Sequence, residues 1–387
     1  MKKRNSILRS LIVLLIFSCV AETKLFAQNK YKGGSKHAQP SIDILPKSTD
    51  YILDRRLEDT LGTRLNQKID ELFDKHKIAG ITATVLIPEK GYWEINKGFI
   101  SKADNTIVDD SSIFYWASVG KLITSTLIHK LIEEDKLSLD DKLSKWYPDI
   151  QNAKKITIEQ LLNHTNGIYS FNADSTVHYS KKQYSPNELL EVSKAHKNLF
   201  KPGEYWSYTN TGYMLLALIL EKVESKTFEL IVQERIVEPL NLKSLKVAPK
   251  KLPSNLALAH DKDTVIPKDS SGPMGAGNII GNSKDMAVFL SALLTGEIIS
   301  TEMVSSMMKD LYPMFDNGQY YGEGIMLYDF NEINNTETVW IGHSGGTENY
   351  KAVLLFDIKS KVIMAISINE NIPAEAVALK LVEFINE

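Results

Sequence analysis

Cysteine is almost absent: the 387 residues hold one, Cys19. An internal disulfide is therefore impossible, and thiol catalysis is excluded in a chain processed near its N-terminus. There is no excess of either charge, since 45 Lys and Arg face 48 Asp and Glu for a net charge of -3. No Lys/Arg cluster is interleaved with aromatics, and a nucleic-acid groove needs one. The histidines are scattered without an H-E-x-x-H spacing, so no metal and no organic cofactor is implied. Internal repeats and low-complexity tracts are also missing. At 43% hydrophobic residues the chain can bury a large core, as one sizeable domain or two intimate ones.

The N-terminus reads as a targeting segment. Lys2, Lys3 and Arg4 precede an apolar run from Leu11 to Phe17, followed by small and polar residues up to Ala27. The run is too short for a membrane helix, which needs ~20 apolar residues to cross ~30 Å. The expectation is a secretory signal peptide over 1–27 and an exported protein, periplasmic or secreted. The alternative is lipid attachment at Cys19 within Ile16-Phe17-Ser18-Cys19, the one route to a membrane here. Residues 28–53 are polar, with Gly33-Gly34-Ser35, and read as a linker before a folded domain over 54–387.

Within that domain Leu65, Ile69, Leu72 and Phe73 recur at helical spacing. The β-rich runs 81–87 and 92–99 flank Pro88-Glu89-Lys90-Gly91 and read as a hairpin. A long, mostly helical middle includes 213–223 and 284–294. Strands return at 338–342, 350–356 and 362–368, and a helix over 374–385 follows Pro373. Helix and hairpin at one end, with strands and helix at the other, imply an α+β fold. One antiparallel sheet is assembled from both ends of the chain, flanked by helices in three layers, with a mostly helical subdomain inserted.

Gly342-His343-Ser344-Gly345-Gly346 fits G-x-S-x-G, the nucleophile elbow of α/β-hydrolases. An elbow needs a helix starting at the serine and a histidine later in the chain. Here a second β-rich run follows, and His343 is the last histidine, so Ser344 is not expected to be a nucleophile. A better candidate lies in Trp116-Ala117-Ser118-Val119-Gly120-Lys121. Ser118 and Lys121, three apart, share one face of a helix. The apolar residues that follow, from Leu122 to Ile132, mark that helix as buried. Desolvation and the helix dipole would lower the lysine pKa towards a value useful in a base, and a Ser/Lys pair needs no histidine. Ser306-Met307-Met308-Lys309 has the same spacing without the buried helix and reads as coincidence.

Tyr208-Thr209-Asn210 is the only Y-x-N in the chain, and His343-Ser344-Gly345 the only [KH]-[ST]-G. Alone, Tyr208 would read as aromatic packing, Asn210 as a cap and His343 as a structural histidine. In order after Ser118-x-x-Lys121, from about Leu61 to the end, they resemble the penicillin-recognising serine hydrolases. These are the class C β-lactamases, D-alanyl-D-alanine carboxypeptidases and related esterases and D-aminopeptidases. Leu161-Leu162-Asn163-His164-Thr165-Asn166-Gly167, Lys201-Pro202-Gly203 and Glu238-Pro239-Leu240-Asn241-Leu242 add to the resemblance.

The resemblance implies the β-lactamase/transpeptidase-like fold and an acyl-enzyme on Ser118, with Lys121 as proton acceptor and Tyr208 as proton relay. Asn210 would hold Lys121 and a substrate amide. His343 stands where class C enzymes carry lysine. Ser344, Gly345 and Gly346 would line the substrate, and the N–H groups of Ser118 and Gly346 would hold the oxyanion. The partner implied is a small molecule or short peptide, peptidoglycan fragments included: a D-amino-acid peptide, an ester or a β-lactam. If a charged His343 binds substrate carboxylates, affinity should fall above pH ~6.5. The alternative of another class is a catalytically silent peptide- or cell-wall-binding domain of the same fold.

Overall fold

The computed structural model describes residues 35–178, 182–266, 273–315 and 317–386. The expected signal peptide, Cys19 and the first part of the linker lie outside the described residues. From Ser35 onward the linker expectation needs correcting. The His37 N–H donates to the Leu311 carbonyl (3.0 Å), and Ile42–Ile44 and Ser48–Asp50 form single 3₁₀ turns. Leu45 and Tyr51 are buried, and Tyr51 Oη donates to the Lys361 carbonyl at 2.7 Å. With the hydrogen bonds of His37 and Tyr51, these two buried side chains tie the segment to the domain.

Helix α1 spans Thr60–His76, capped by Asp59, whose carboxylate accepts the Gly62 N–H. Its Leu65, Ile69 and Leu72 are buried, each worth about 1.5–3 kcal/mol relative to exposure. Strands β1 (Gly80–Ile87) and β2 (Gly91–Ser101) form the expected hairpin, and β1 is buried along its whole length. Helix α2 (Gly120–Glu133) follows a 3₁₀ turn at Ala117–Val119, and α3 (Asn210–Glu224) and α4 (Ser283–Leu294) belong to the helical middle. The chain then returns through β3 (Met326–Asp329), β4 (Val339–Gly346), β5 (Lys351–Asp357), β6 (Ile363–Ile368) and helix α5 (Ala374–Ile385).

The sheet is antiparallel and ordered Thr106–Ile107, β2, β1, β6, β5, β4, β3, Gln319–Tyr321, Tyr312–Pro313. The pairing of β1 with β6 joins the two ends of the chain. On one face Val353, Leu355 and Ile366 pack against Leu65 and Ile69 of α1 and Val377 and Leu381 of α5. On the other, Leu354, Phe356 and Ala365 join Leu122 and Ile123 of α2 and Phe289 and Leu290 of α4. This is the expected three-layer α+β arrangement. It sets the N-terminus of α2 against the end of β4.

Candidate active site

Ser118 sits in the 3₁₀ turn immediately before α2. The preceding residue, Ala117, has φ +46°, a left-handed conformation that a side chain adopts at some cost. Two glycines let this bend pack tightly. A Cβ on Gly277 would lie 3.2 Å from the Ala117 carbonyl carbon, and one on Gly345 only 2.2 Å from the Trp116 carbonyl oxygen and 3.0 Å from the Ser118 nitrogen. The turn and the strand therefore touch backbone to backbone.

Lys121, in the first turn of α2, is fully buried. Its Nζ lies 2.9 Å from Ser118 Oγ and 2.6 Å from the Ala276 carbonyl, and 4.7 Å from the centre of the Tyr208 ring. Burial without a carboxylate partner lowers its pKa well below the ordinary lysine value. The expected direction is present and its cause is desolvation. An amine whose pKa is lowered in this way and that lies within hydrogen-bond reach of a serine can accept its proton.

Tyr208 is enclosed, and burial holds its phenol protonated beyond the usual tyrosine range, with Ser118 close enough to oppose part of that shift. Its hydroxyl meets no partner at ordinary hydrogen-bond geometry among the described residues. Asn210 differs from expectation. Its Nδ2 donates to Asn172 Oδ1 (3.0 Å) and its backbone N–H to Ser170 Oγ (2.9 Å), and the Ala276 carbonyl takes the place beside Lys121 foreseen for it. Asn210 Oδ1 is buried without a partner among the described residues, an acceptor available to an amide N–H.

His343 is fully buried, pointing from β4 towards the helical side. Its Nδ1 donates to the Ser344 carbonyl (2.5 Å), which leaves Nε2 to accept from Tyr321 Oη (3.1 Å). Burial and the nearby Lys121 push its pKa down to about 3. The imidazole thus stays neutral above about that pH and cannot supply the charge for a carboxylate. This corrects the expected transition near 6.5. Binding of a carboxylated ligand, titrated from pH 5 to 8, is expected to show no step due to His343. A step near 6.5 that disappears in His343→Asn would overturn this assignment.

Ser344 also departs from its expected role. Its hydroxyl bonds Tyr328 Oη on the face covered by α5, its N–H reaches Met326 Sδ (3.5 Å) and its carbonyl takes the His343 bond, so each of its polar groups already has a partner. The N–H of Thr347 bonds the Tyr350 carbonyl across the β4–β5 turn (2.9 Å). By the alternation of an antiparallel pair, the N–H groups of Ser344 and Gly346 then turn away from β5. Pairing with β3 ends at Met326–Gly342, so this edge of β4 has no strand beside it from His343 to Gly346 among the described residues. An extended ligand can add there, with the Gly346 N–H near the Ser118 turn.

Sequence reasoning gave no role to Ala276, Gly277, Asn172 or Tyr321. Tyr321 contacts Tyr213 Oη (3.3 Å) and His343, and the next residue but one, Glu323, is joined through its carboxyl group to His129 Nε2 of α2 by a buried hydrogen bond (2.7 Å). The glycines of Gly275-Ala276-Gly277 were the one available signal for the segment under Lys121.

The beta-lactamase family profile matches residues 65–383. A penicillin-binding protein of Bacillus subtilis (strain 168) is 25% identical over 348 residues, covering 83% of this chain and 75% of that protein. A teichoic acid D-alanine hydrolase of Staphylococcus aureus is 27% identical over 228 residues, 52% of this chain and 53% of its own length. In fold, the chain is similar to a D-amino acid amidase from Ochrobactrum anthropi SV3 solved with D-phenylalanine. The TM-score is 0.75 at 22% identity, over 84% of this chain and 99% of the amidase. A match that runs through nearly the whole folded part, Ser118 and β4 included, places this chain in the beta-lactamase family, among hydrolases of the serine β-lactamase fold.

Proposed function

We propose that the protein is an exported serine hydrolase that cleaves amide or ester bonds of D-amino-acid derivatives through an acyl-Ser118 intermediate. The observation that carries this reading is the fully buried Lys121 amine, 2.9 Å from Ser118 Oγ and lowered in pKa by desolvation. Ser118 Oγ attacks the carbonyl carbon and its proton passes to Lys121. The oxyanion sits against the N–H groups of Ser118 and Gly346. Collapse breaks the C–N or C–O bond, and the leaving group takes a proton by way of Tyr208. Water then hydrolyses the ester, releasing the acid and restoring the serine.

The preference for amides and esters over carboxylate-bearing β-lactams follows from a neutral, buried His343 where a lysine would attract a carboxylate. The likeness to a D-amino acid amidase and a D-alanine hydrolase supports the D-amino-acid class.

The test is intact-mass spectrometry of the protein and its Ser118→Ala variant after incubation with a D-amino-acid ester, the corresponding amide and a penicillin. The wild type is expected to gain an acyl mass mapped to Ser118, more slowly with penicillin than with the ester, and Ser118→Ala none. An adduct that persists in Ser118→Ala would move the nucleophile elsewhere. No adduct and no turnover with all three would leave the silent binding domain as the better reading.

A further inference from the structure

His164 has no part in the proposed reaction, yet it lies at its centre. It is fully buried and held at φ +64° in the loop after the short helix Ile158–Leu162. The loop is braced from within. Asn163 Oδ1 accepts from Thr165 Oγ1 (2.7 Å), Asn166 Oδ1 from the Ile168 N–H (2.8 Å), and Asn166 Nδ2 donates to the Gln160 carbonyl (3.1 Å). A side chain delivered by such a loop has little freedom of position.

The main-chain carbonyl and the Nδ1 of His164 are engaged with the two residues flanking Tyr208, while its Nε2 is buried without a partner among the described residues. Its backbone carbonyl accepts the Ser207 N–H (3.0 Å), and its Nδ1 accepts the Thr209 N–H (3.2 Å). An Nδ1 that accepts is unprotonated, so the ring is the neutral tautomer with its proton on Nε2. Burial favours the same neutral form. The ring packs against Tyr208 at 4.3 Å between centres, with Tyr321 at 4.5 Å and Tyr213 at 5.1 Å behind it. Tyr208 thus has its main chain bracketed on both sides and its ring backed by one imidazole.

We propose that His164 is a positioning residue for Tyr208, fixing the phenol beside Ser118 by its two backbone hydrogen bonds and its ring face. The inference rests on the acyl-enzyme reading, in which Tyr208 relays the proton. A displacement of the order of 1 Å in a relay group can cost about 10²-fold in rate. Because His164 acts through Tyr208, its removal should matter only while the phenol is present.

The experiment is a double-mutant cycle on ester hydrolysis with His164→Leu, Tyr208→Phe and the pair, with His164→Asn as the conservative variant. Asparagine keeps an acceptor at the Nδ1 position and tolerates the left-handed backbone, but lacks the ring face. His164→Leu is expected to lower kcat about 10²-fold with KM little changed, and His164→Asn to recover part of that loss. In the Tyr208→Phe background His164→Leu should cost about 2-fold or less, since coupled residues are not additive. Full loss in both backgrounds, or wild-type kcat in folded His164→Leu, would overturn the proposal. Should the leucine variant fail to fold, the cycle with asparagine decides by the same criterion. A Tyr208→Phe variant with wild-type turnover would sink the acyl-enzyme relay itself, a result separate from any outcome at His164.

Discussion

Replacing Lys121 by arginine is expected to lower kcat/KM for ester hydrolysis by about 10²–10⁴-fold, the usual contribution of a positioned proton-transfer group. The lysine is a base only because burial strips water from its ammonium, which holds its pKa well below 10.5. A guanidinium stays charged under the same conditions. The sign of the pH dependence follows. As pH falls through the lowered pKa, Lys121 takes up a proton and the rate declines, so the wild-type acid limb lies below the ordinary lysine range. Tyr208, displaced upwards by burial, keeps its proton on the alkaline side. A kcat/KM profile from pH 5 to 10.5 tests both statements. Lys121→Met, similar in length and uncharged, separates loss of the base from overpacking and should show the same defect. Wild-type rates in either variant, or a wild-type limb at the unshifted lysine value, would remove Lys121 from its role.

The parts of this protein that were legible in its sequence are those written in the pattern of its apolar side chains. The helical spacing of Leu65, Ile69 and Leu72 and the hairpin over 81–99 stand where expected, as do the closing strands and α5. The helices are legible because burial on one face imposes a period, and the strands because β1, β5 and β6 are buried along their whole length and so read as short β-rich runs. Ser118 and Lys121 were legible for a similar reason, since three residues on a helix fix their mutual reach.

What escaped was carried by backbone atoms or by side-chain direction. The second acceptor at Lys121 is the Ala276 carbonyl, which any residue type could supply. Asn210 was assigned to Lys121 because nothing in Tyr208-Thr209-Asn210 tells that Asn172 will reach its amide first. The motif at 342–346 showed a histidine but not its enclosure. The alternation along β4 buries His343 against Tyr321 and turns the Ser344 hydroxyl to the opposite face. Leu45 and Tyr51 pack as single anchors that set up no period along the chain.

The two glycines that end the same motif should respond in opposite ways to one added methyl group. A Cβ on Gly345 would meet the Trp116 carbonyl oxygen at 2.2 Å, the Ser118 nitrogen at 3.0 Å and the Val119 nitrogen at 3.1 Å. All three are main-chain atoms of the nucleophile turn, so no rotamer change relieves the clash and the turn itself must move. A moved Ser118 N–H leaves the oxyanion position, and losing one such donor costs about 10²–10³-fold in kcat. Overpacking adds a stability cost of about 1–3 kcal/mol. On Gly346 the nearest atoms are Lys351 Cδ at 3.6 Å and Nζ at 3.7 Å, ordinary contact distances at the end of a flexible side chain. Its N–H is supplied by the main chain and survives the substitution. Gly345→Ala is therefore expected to acylate at least 10²-fold more slowly than wild type and to melt at a lower temperature. Gly346→Ala should stay within a few-fold on rate and close to wild type in Tm, as surface changes away from strained backbone usually do. Acylation rates and melting curves of the two variants, measured together, decide the point. Equal tolerance at both positions would mean that the Ser118 turn does not lean on β4. Equal damage would mean that the Gly346 side of the strand is closed to ligand.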